Sequence, residues 1–343
     1  RFLISLNPLQ MDKEKTHSSL LQAELIGHKV REILKGSKPI LESNHVFEHA
    51  IYIDCGKEGL IKVMKDRDFV SPTSIVLNGM ENSSLKLLDI QSGTELLLND
   101  GEITSEDSGF SLHIGNASIW HSPELPNESE LLSLEEINLN LRILKDIIYT
   151  SPSREGLVPL LENVEKHSPL EVFVKEQKPT MSEKARPYID ALMWGIMSGD
   201  MEAIKRSAGP ILGLGPGLTP SCDDFLAGLM LSLNTAGVSL FKNESSTLQF
   251  FSNTSKEISA LARGKTTIYS QSFLSEAALG EGPKTALDLI FSILTKSPNQ
   301  VAEISKRLIG VGATSGADIS IGIYYGIRFL ISRIELRDLN EFE

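Results

Sequence analysis

Short apolar runs separated by turn signals occupy the first part of the chain, a pattern typical of β-strands. Pairs such as Asn78-Gly79 and Ser92-Gly93 mark the turns. The predicted strands are Val46–Asp54, Leu60–Met64, Ser74–Leu77, Leu85–Leu88, Glu95–Leu98 and Phe110–Ile114. One segment differs, because the apolar residues of Ser18–Lys35 fit one face of a helix. The remainder predicts an all-β barrel or sandwich.

Apolar residues recur every three or four positions beyond about residue 130, as they do on one face of a helix. The predicted helices are Leu131–Tyr149, Glu183–Ser198, Met201–Ala208, Asp223–Ala236, Leu248–Leu261, Lys284–Thr295, Gln300–Ile309 and Ala317–Leu330. The segment Ser151–Lys178 is predicted as a long loop. The polar stretch His121–Glu130, with two prolines, separates the strand-like pattern from the helix-like pattern.

These patterns predict an α+β fold with two domains. A β-rich, barrel- or sandwich-like domain spans residues 1–125, and a mainly helical domain spans residues 126–343. A length of 343 residues agrees with two domains. It also provides enough core for the chain to fold without a disulfide or a metal.

Charge and cysteine usage narrow the possible partners and the compartment. The 33 Lys and Arg residues against 45 Asp and Glu residues give a formal net charge of −12, which disfavours binding to nucleic acid or to anionic membranes. Two cysteines make no disulfide framework, and no apolar run is long enough for a transmembrane helix or a signal-peptide core. We therefore expect a cytoplasmic protein.

The segment Gly213–Phe225, GLGPGLTPSCDDF, is the most unusual part of the sequence. Its glycines permit close approach of the backbone to a ligand. Thr219 followed by Pro220 predicts a helix start, with Thr as the N-cap and Pro at the first helical position. A glycine-rich loop that enters a helix exposes backbone N–H groups beside the positive end of the helix dipole. That arrangement favours an anion.

The same design recurs at Gly310–Asp318. Both segments read G-x-G-x-T-x-x-x-D, and apolar helix sequence follows each. We call them the first and second loop–helix motifs. Residues four apart lie on one face of a helix, so each Thr and Asp are expected side by side. We infer two similar helix starts that face one site.

A third element, Arg263-Gly264-Lys265-Thr266-Thr267, lies between the two motifs. Its charges and hydroxyls suit a phosphate or a carboxylate. It is not a P-loop, because the first glycine of that motif would fall at Ser259. Read alone, Arg263 and Lys265 are better explained as a solvated pair.

The candidate site residues divide into two roles. Asp223 and Asp318 would orient the amide of a ligand or take a proton, and Arg263 would neutralise developing charge. The candidate anion-binding residues are Gly215, Gly217, Thr219, Ser221, Asp224, Lys265, Thr266, Thr267, Gly312, Thr314 and Ser315. The alternative interpretation is structural: the loops only begin helices, and Asp223 and Asp224 only complement a helix dipole.

Other residues were considered as metal ligands or as a nucleophile, and the sequence supports these roles less well. His45 and His49 are four residues apart, but the segment reads as strand and no third ligand is apparent, so no metal site is predicted. Cofactors are not firmly implied, although Mg²⁺ on a bound phosphate is possible. Cys222 at a helix start is interpreted as a small buried residue in preference to a nucleophile.

The two motifs, the Arg263–Thr267 stretch and looser matches such as Gly27-His28-Lys29-Val30 resemble the family that contains AllH, a subunit of oxamate carbamoyltransferase. The resemblance implies a role in anaerobic allantoin and purine catabolism. It also implies two partner subunits of an AllF and AllG type, and a reaction of oxalurate with phosphate that gives oxamate and carbamoyl phosphate.

Two functions remain open at this point. The first is a carbamoyltransferase subunit whose small anionic ligand, of the oxalurate, oxamate or carbamoyl phosphate class, binds at the paired helix starts. The alternative is a non-catalytic small-anion sensor or scaffold subunit that uses the β-rich half to hold a partner.

Overall fold

The computed structural model describes residues 20–38, 40–80, 82–99, 101–151, 156–161 and 180–341. Its first part is a β-barrel and its second part is helical, which confirms the expected fold class. The nine strands are β1 Leu21–Gly27, β2 Ile40–Val46, β3 Ala50–Asp54, β4 Leu60–Met64, β5 Ser74–Leu77, β6 Glu95–Asn99, β7 Glu102–Ser105, β8 Phe110–His113 and β9 Ser118–Trp120.

Eight of these strands close into a ring. The strand order is β5-β4-β3-β2-β6-β7-β8-β1, and pairing of β1 with β5 completes the circle. β9 extends the ladder of β8 along β1, where Leu25 to Gly27 pair in parallel with Ser118 to Trp120. Alternating residues such as Ile51, Ile53, Ile61 and Val63 point into the barrel and form its core.

The helical part follows a short 3₁₀ turn, Glu128–Glu130. Its helices are α2 Leu134–Tyr149, α3 Met181–Ser198, α4 Met201–Ile211, α5 Ser221–Asn234, α6 Ala236–Leu240, α7 Ser245–Leu261, α8 Ile268–Ala277, α9 Lys284–Thr295, α10 Pro298–Ile309 and α11 Ser315–Glu341, while α1 Val30–Gly36 belongs to the barrel. Capping boxes begin α2 at Ser133 and α10 at Ser297.

α5 is the central helix, and every residue from Ser221 to Leu233 is buried. α11 packs along it at very short range. A Cβ placed on Gly322 would lie 2.1 Å from the carbonyl oxygen of Phe225, and one on Gly326 would lie 2.5 Å from the Cβ of Ser232. Because the contacts advance in the same direction along both helices, α5 and α11 are parallel. Their N-termini therefore lie at the same end.

The barrel and the helical part are joined through their side chains. Trp120 packs against the helical core and against a small apolar cluster on the barrel that contains Met64, Val70 and Val76. Polar links surround this contact. Thr73 donates a hydrogen bond of 2.7 Å to Glu276, and Lys29 forms an ion pair with Glu281. This junction positions the candidate site.

Three local predictions were wrong. The predicted helix Ser18–Lys35 begins as strand β1 and becomes helical only at Val30, and the predicted strand Val46–Asp54 is interrupted at 47–49 between β2 and β3. Leu85–Leu88 is a 3₁₀ turn that Ser84 caps. In each case a contact with a distant strand or a local cap outweighs the apolar pattern.

Two helices were missed, since neither α6 nor α8 was predicted. Most of the predicted loop Ser151–Lys178 falls outside the described residues, but 158–161 form a 3₁₀ turn. Over the described ranges, no helix has the length and apolar character needed to cross a bilayer.

Candidate functional site

The two loop–helix motifs meet where α5 and α11 begin. The Thr219 hydroxyl lies 3.1 Å from that of Ser315, and the Ser221 hydroxyl lies 3.4 Å from that of Thr314. The predicted N-cap was wrong by one position. Pro220 caps α5 without a side-chain hydrogen bond, and Ser221 is the first helical residue. Thr219 is thus free to contact the other motif.

A cavity of about 250 Å³ opens between these helix starts and the barrel, and we call it the interface cavity. The barrel contributes residues from β3, β4 and the turn before β5. They are Tyr52, Leu60, Lys62, Phe69, Ser71 and Thr73. The polar residues from the helical part are Thr219, Asp224, Tyr269, Ser272, Glu276 and Ser315, and Gly312 and Ile319 also line it. Both motifs therefore form one wall.

Asp224 is the motif acid that lines the cavity. Its side chain is 1% exposed, and its Oδ2 atom has no hydrogen-bond partner among the residues the structure describes. Burial raises the pKa of Asp224 well above its ordinary value, and the hydroxyls of Ser315 and Thr219 only partly oppose this rise. The unpartnered oxygen of this buried carboxyl is available to a ligand.

Asp223 and Asp318, the acids that the two motifs share, point elsewhere. Asp223 accepts a 2.8 Å hydrogen bond from the N–H of Gly213 and another from the Thr266 hydroxyl. Asp318 accepts a 2.8 Å bond from the N–H of Leu157. Neither acid lines the interface cavity. Their contacts hold loops in place, and their catalytic assignment stays a prediction.

Burial also changes the ionisation of these two acids. It raises the pKa of Asp318 to about 6, against the bonds from Leu157, Ser221 and Thr314 that lower it. It raises the pKa of Asp223 as well, where Thr266 and Gly213 oppose the change. The helix starts therefore carry acids that are harder to ionise than usual.

The Arg263–Thr267 stretch braces the first motif. The Thr267 hydroxyl donates to the carbonyl of Leu218 and also caps α8, where it accepts from the N–H of Ser270. With the bond from Thr266 to Asp223, both threonines are occupied within the protein. Arg263 and Lys265 are exposed, and Arg263 lines a separate, more open groove.

The glycines have different positions. Gly215 and Gly217 have φ angles of 132° and 93°, conformations that residues with a Cβ rarely adopt. A Cβ on Gly215 would also lie 2.5 Å from the backbone nitrogen of Ser221. Only Gly312, with a φ of 63°, is part of the cavity wall.

Sequence reasoning missed the cation of the cavity, Lys62 on β4. Its Nζ lies 5.9 Å from the centre of the Tyr52 ring, and within the described residues it forms no ion pair. In sequence it is an ordinary polar residue between buried Ile61 and Val63, so no local signal distinguishes it. The packing of the helical part on the barrel brings it to the cavity.

Glu276 and Tyr269 of α8 were also missed. Glu276 is the sole charged residue of that helix, and this could have been noticed. Burial raises its pKa, while the Thr73 hydroxyl, Lys62 and Lys29 lower it. Tyr269 contacts Nδ1 of His45 through its hydroxyl at 2.6 Å, so His45 joins the barrel to α8. Burial raises the pKa of Tyr269 to about 12.

Metal chemistry finds no support in the side chains. Across the described ranges, no three His, Cys, Asp or Glu residues are grouped to hold a metal ion. His49 lies at the barrel rim apart from the His45–Tyr269 contact. Cys222 is fully buried, and burial together with Asp318 and Asp223 raises its pKa, as suits a packing residue.

The interface cavity thus combines a half-buried cation, hydroxyl groups, a buried carboxyl with one unpartnered oxygen, and two helix N-termini. Such a set can hold a small anion that also carries an N–H donor or a basic nitrogen. The search of solved structures found none that matches the chain.

A comparison with protein families covers the helical side of this wall. The matched segment starts at the end of α4, contains both loop–helix motifs and stops within α11, so it leaves out the barrel and Lys62. It confirms the resemblance noted from the sequence: residues 211–327 match the family model described as oxamate carbamoyltransferase subunit AllH.

Proposed function

We propose that this chain is a cytoplasmic subunit of a carbamoyltransferase of the oxamate type and that it binds its small anionic substrate in the interface cavity. The observation that carries the proposal is the meeting of Asp224, Ser315 and Lys62 around one cavity. The match of residues 211–327 to the AllH family supports the same class of reaction.

The reaction in question converts oxalurate and phosphate to oxamate and carbamoyl phosphate. A phosphate oxygen forms a bond to the carbamoyl carbon, and the bond from that carbon to the amide nitrogen breaks. The departing nitrogen must gain a proton, since an amide anion is a very poor leaving group. The proton that hydrogen phosphate loses balances this gain.

Asp224 suits that proton transfer. Its carboxyl is buried and its pKa is raised, so it is protonated under conditions where an exposed aspartate is ionised. In the proposed mechanism Asp224 gives its proton to the departing nitrogen and regains one from the phosphate. Lys62 and the helix N-termini stabilise negative charge on the carboxylate and on the transferred group.

A reconstituted complex with the partner subunits tests the proposal through the rate of oxalurate phosphorolysis. We expect Asp224→Asn to lower kcat by about 10²-fold or more, which is the usual contribution of a general acid. Lys62→Met should lower kcat/KM at least about tenfold, because it removes a charge from a partly buried site. Lys57→Met, on the exposed barrel surface, is the matched control for Lys62.

Arg263→Ala belongs in the same assay, because the sequence alone favours Arg263 as the cation of the site. We expect less than about a threefold change, since Arg263 is exposed and outside the cavity. A large loss with Arg263→Ala and none with Lys62→Met would restore the sequence interpretation and exclude the interface cavity.

The sensor or scaffold alternative predicts a different result. Calorimetric titration of the isolated chain with oxalurate and oxamate would show binding, but Asp224→Asn and Lys62→Met would leave turnover of the complex unchanged.

A further inference from the structure

A second pocket, of about 620 Å³, adjoins the interface cavity on the barrel side, and we call it the outer pocket. The two share a wall of five residues, among them Lys62, Tyr52 and Gly312. Lys62 therefore stands at the boundary, with access to a ligand on either side.

The outer pocket has an excess of positive charge in an otherwise acidic protein. Its cations are Lys62, Lys65 and Arg67, and its acids are Glu24 and Asp66. Arg67 and Glu24 neutralise each other at 3.1 Å. Lys65 donates only to the Ser83 carbonyl, at 2.8 Å, and carries no ion pair within the described residues.

Asp66, whose side chain accepts the N–H of Asp68 at 2.9 Å, still carries its negative charge, so the pocket holds one net positive charge. Opposite these side chains lies the glycine loop of the second motif, Gly310 to Gly312, which lines the pocket with its backbone. Lys65, which has no carboxylate partner among the described residues, and Lys62, whose nearest acid is the more distant Glu276, therefore line one pocket with the glycines of the second motif. A tetrahedral anion, which accepts bonds from several directions, fits such a set.

We propose that the outer pocket is a separate oxyanion subsite, for an anion of the phosphate class, that shares Lys62 with the ligand of the interface cavity. The inference rests on the proposed function for the identity of the neighbouring ligand but not for the anion site itself. One shared cation would hold two anions side by side and reduce the repulsion between them.

Titration of the intact chain with inorganic phosphate, followed by calorimetry, tests the subsite. We expect Lys65→Ala and Lys62→Met each to weaken phosphate binding about five- to tenfold, as loss of a charged hydrogen bond does. The control Lys57→Ala should change it less than about twofold, because Lys57 is exposed and lines neither pocket. Thermal unfolding of each variant checks that it is folded.

Titration with oxamate and phosphate together separates this inference from the proposed function. Simultaneous binding supports two subsites, and Asp224→Asn should weaken oxalurate without affecting phosphate. Absence of oxalurate binding, with phosphate still sensitive to Lys65→Ala, would refute the proposed function and leave the subsite standing. No phosphate binding, insensitivity to both lysine substitutions, or one-for-one competition with oxamate would overturn the subsite.

Discussion

The first and second loop–helix motifs have the same pattern but different chemistry at the cavity. Asp223 and Asp318 are equivalent, and both are turned toward backbone N–H groups of neighbouring loops. The next residue of each motif, Asp224 in the first and Ile319 in the second, lines the cavity. The acids that the pattern shares thus contact backbone N–H groups, and the position at which the motifs differ lies in the cavity wall.

This comparison depends first on the close parallel packing of α5 and α11. Gly322→Ala should unfold the helical part or destabilise it by about 4 kcal/mol or more, because the added Cβ would lie 2.1 Å from a backbone carbonyl. Denaturant unfolding measures the change. Gly310→Ala is the control, with a negative φ and no contact under 3.4 Å. Equal effects of the two substitutions would contradict the packing described.

The second test concerns the pH dependence that Asp318 imposes. Its folded pKa of about 6 exceeds the unfolded value of about 3.9, so the native state binds more protons between these pH values. The stability of the wild type should therefore fall as pH rises through this range. Asp318→Asn keeps the acceptor for Leu157 and removes the titration, so its stability relative to wild type should increase by about 2 kcal/mol between pH of about 4 and 7.

Urea unfolding at several pH values gives this difference directly. Any constant effect of the substitution cancels, because only the change with pH is compared. A difference that does not vary with pH would mean that Asp318 ionises normally in the folded protein.

The smallest expected effect is the difference in stability between variants of Asp223 and Asp224, the two adjacent acids of α5. Asp223→Ala should destabilise the protein by about 1–3 kcal/mol, because the Gly213 N–H and the Thr266 hydroxyl lose their acceptor. Asp224→Asn should be neutral or slightly stabilising, since it replaces a poorly satisfied buried acid. Thermal unfolding at neutral pH compares them. A larger loss with Asp224→Asn would mean that Asp224 is structural.

The sequence predicted the elements whose cause is local. Lys284–Thr295 was predicted with its bounds, and other long helices within a few residues, because their apolar period is strong. Strand β1 was missed because its partners, β5, β8 and β9, lie about 50 or more positions away along the chain. Closure of the barrel has no local signature for the same reason.

Residues of the candidate site were likewise predictable only where the sequence around them carried a recognisable pattern. Repetition identified the two motifs and, through them, Thr219, Gly312 and Ser315 in the cavity wall. Repetition could not identify Lys62, which belongs to another part of the chain. It also gave Asp224 less weight than Asp223, since Asp224 has no counterpart in the second motif. The position at which the two motifs differ, Asp224 against Ile319, was the feature of the sequence that distinguished Asp224.

The cavity lies where the barrel meets the helical part, so each supplies only a portion of its wall. A molecule bound there touches both, and it favours the arrangement in which they are docked. Ligand binding and docking of the two parts are consequently linked equilibria. At saturation the two parts should unfold in one transition, and the free energy of unfolding should rise with the logarithm of ligand concentration. A thermal-shift screen would thus identify ligands and also measure how strongly the barrel and the helical part are docked.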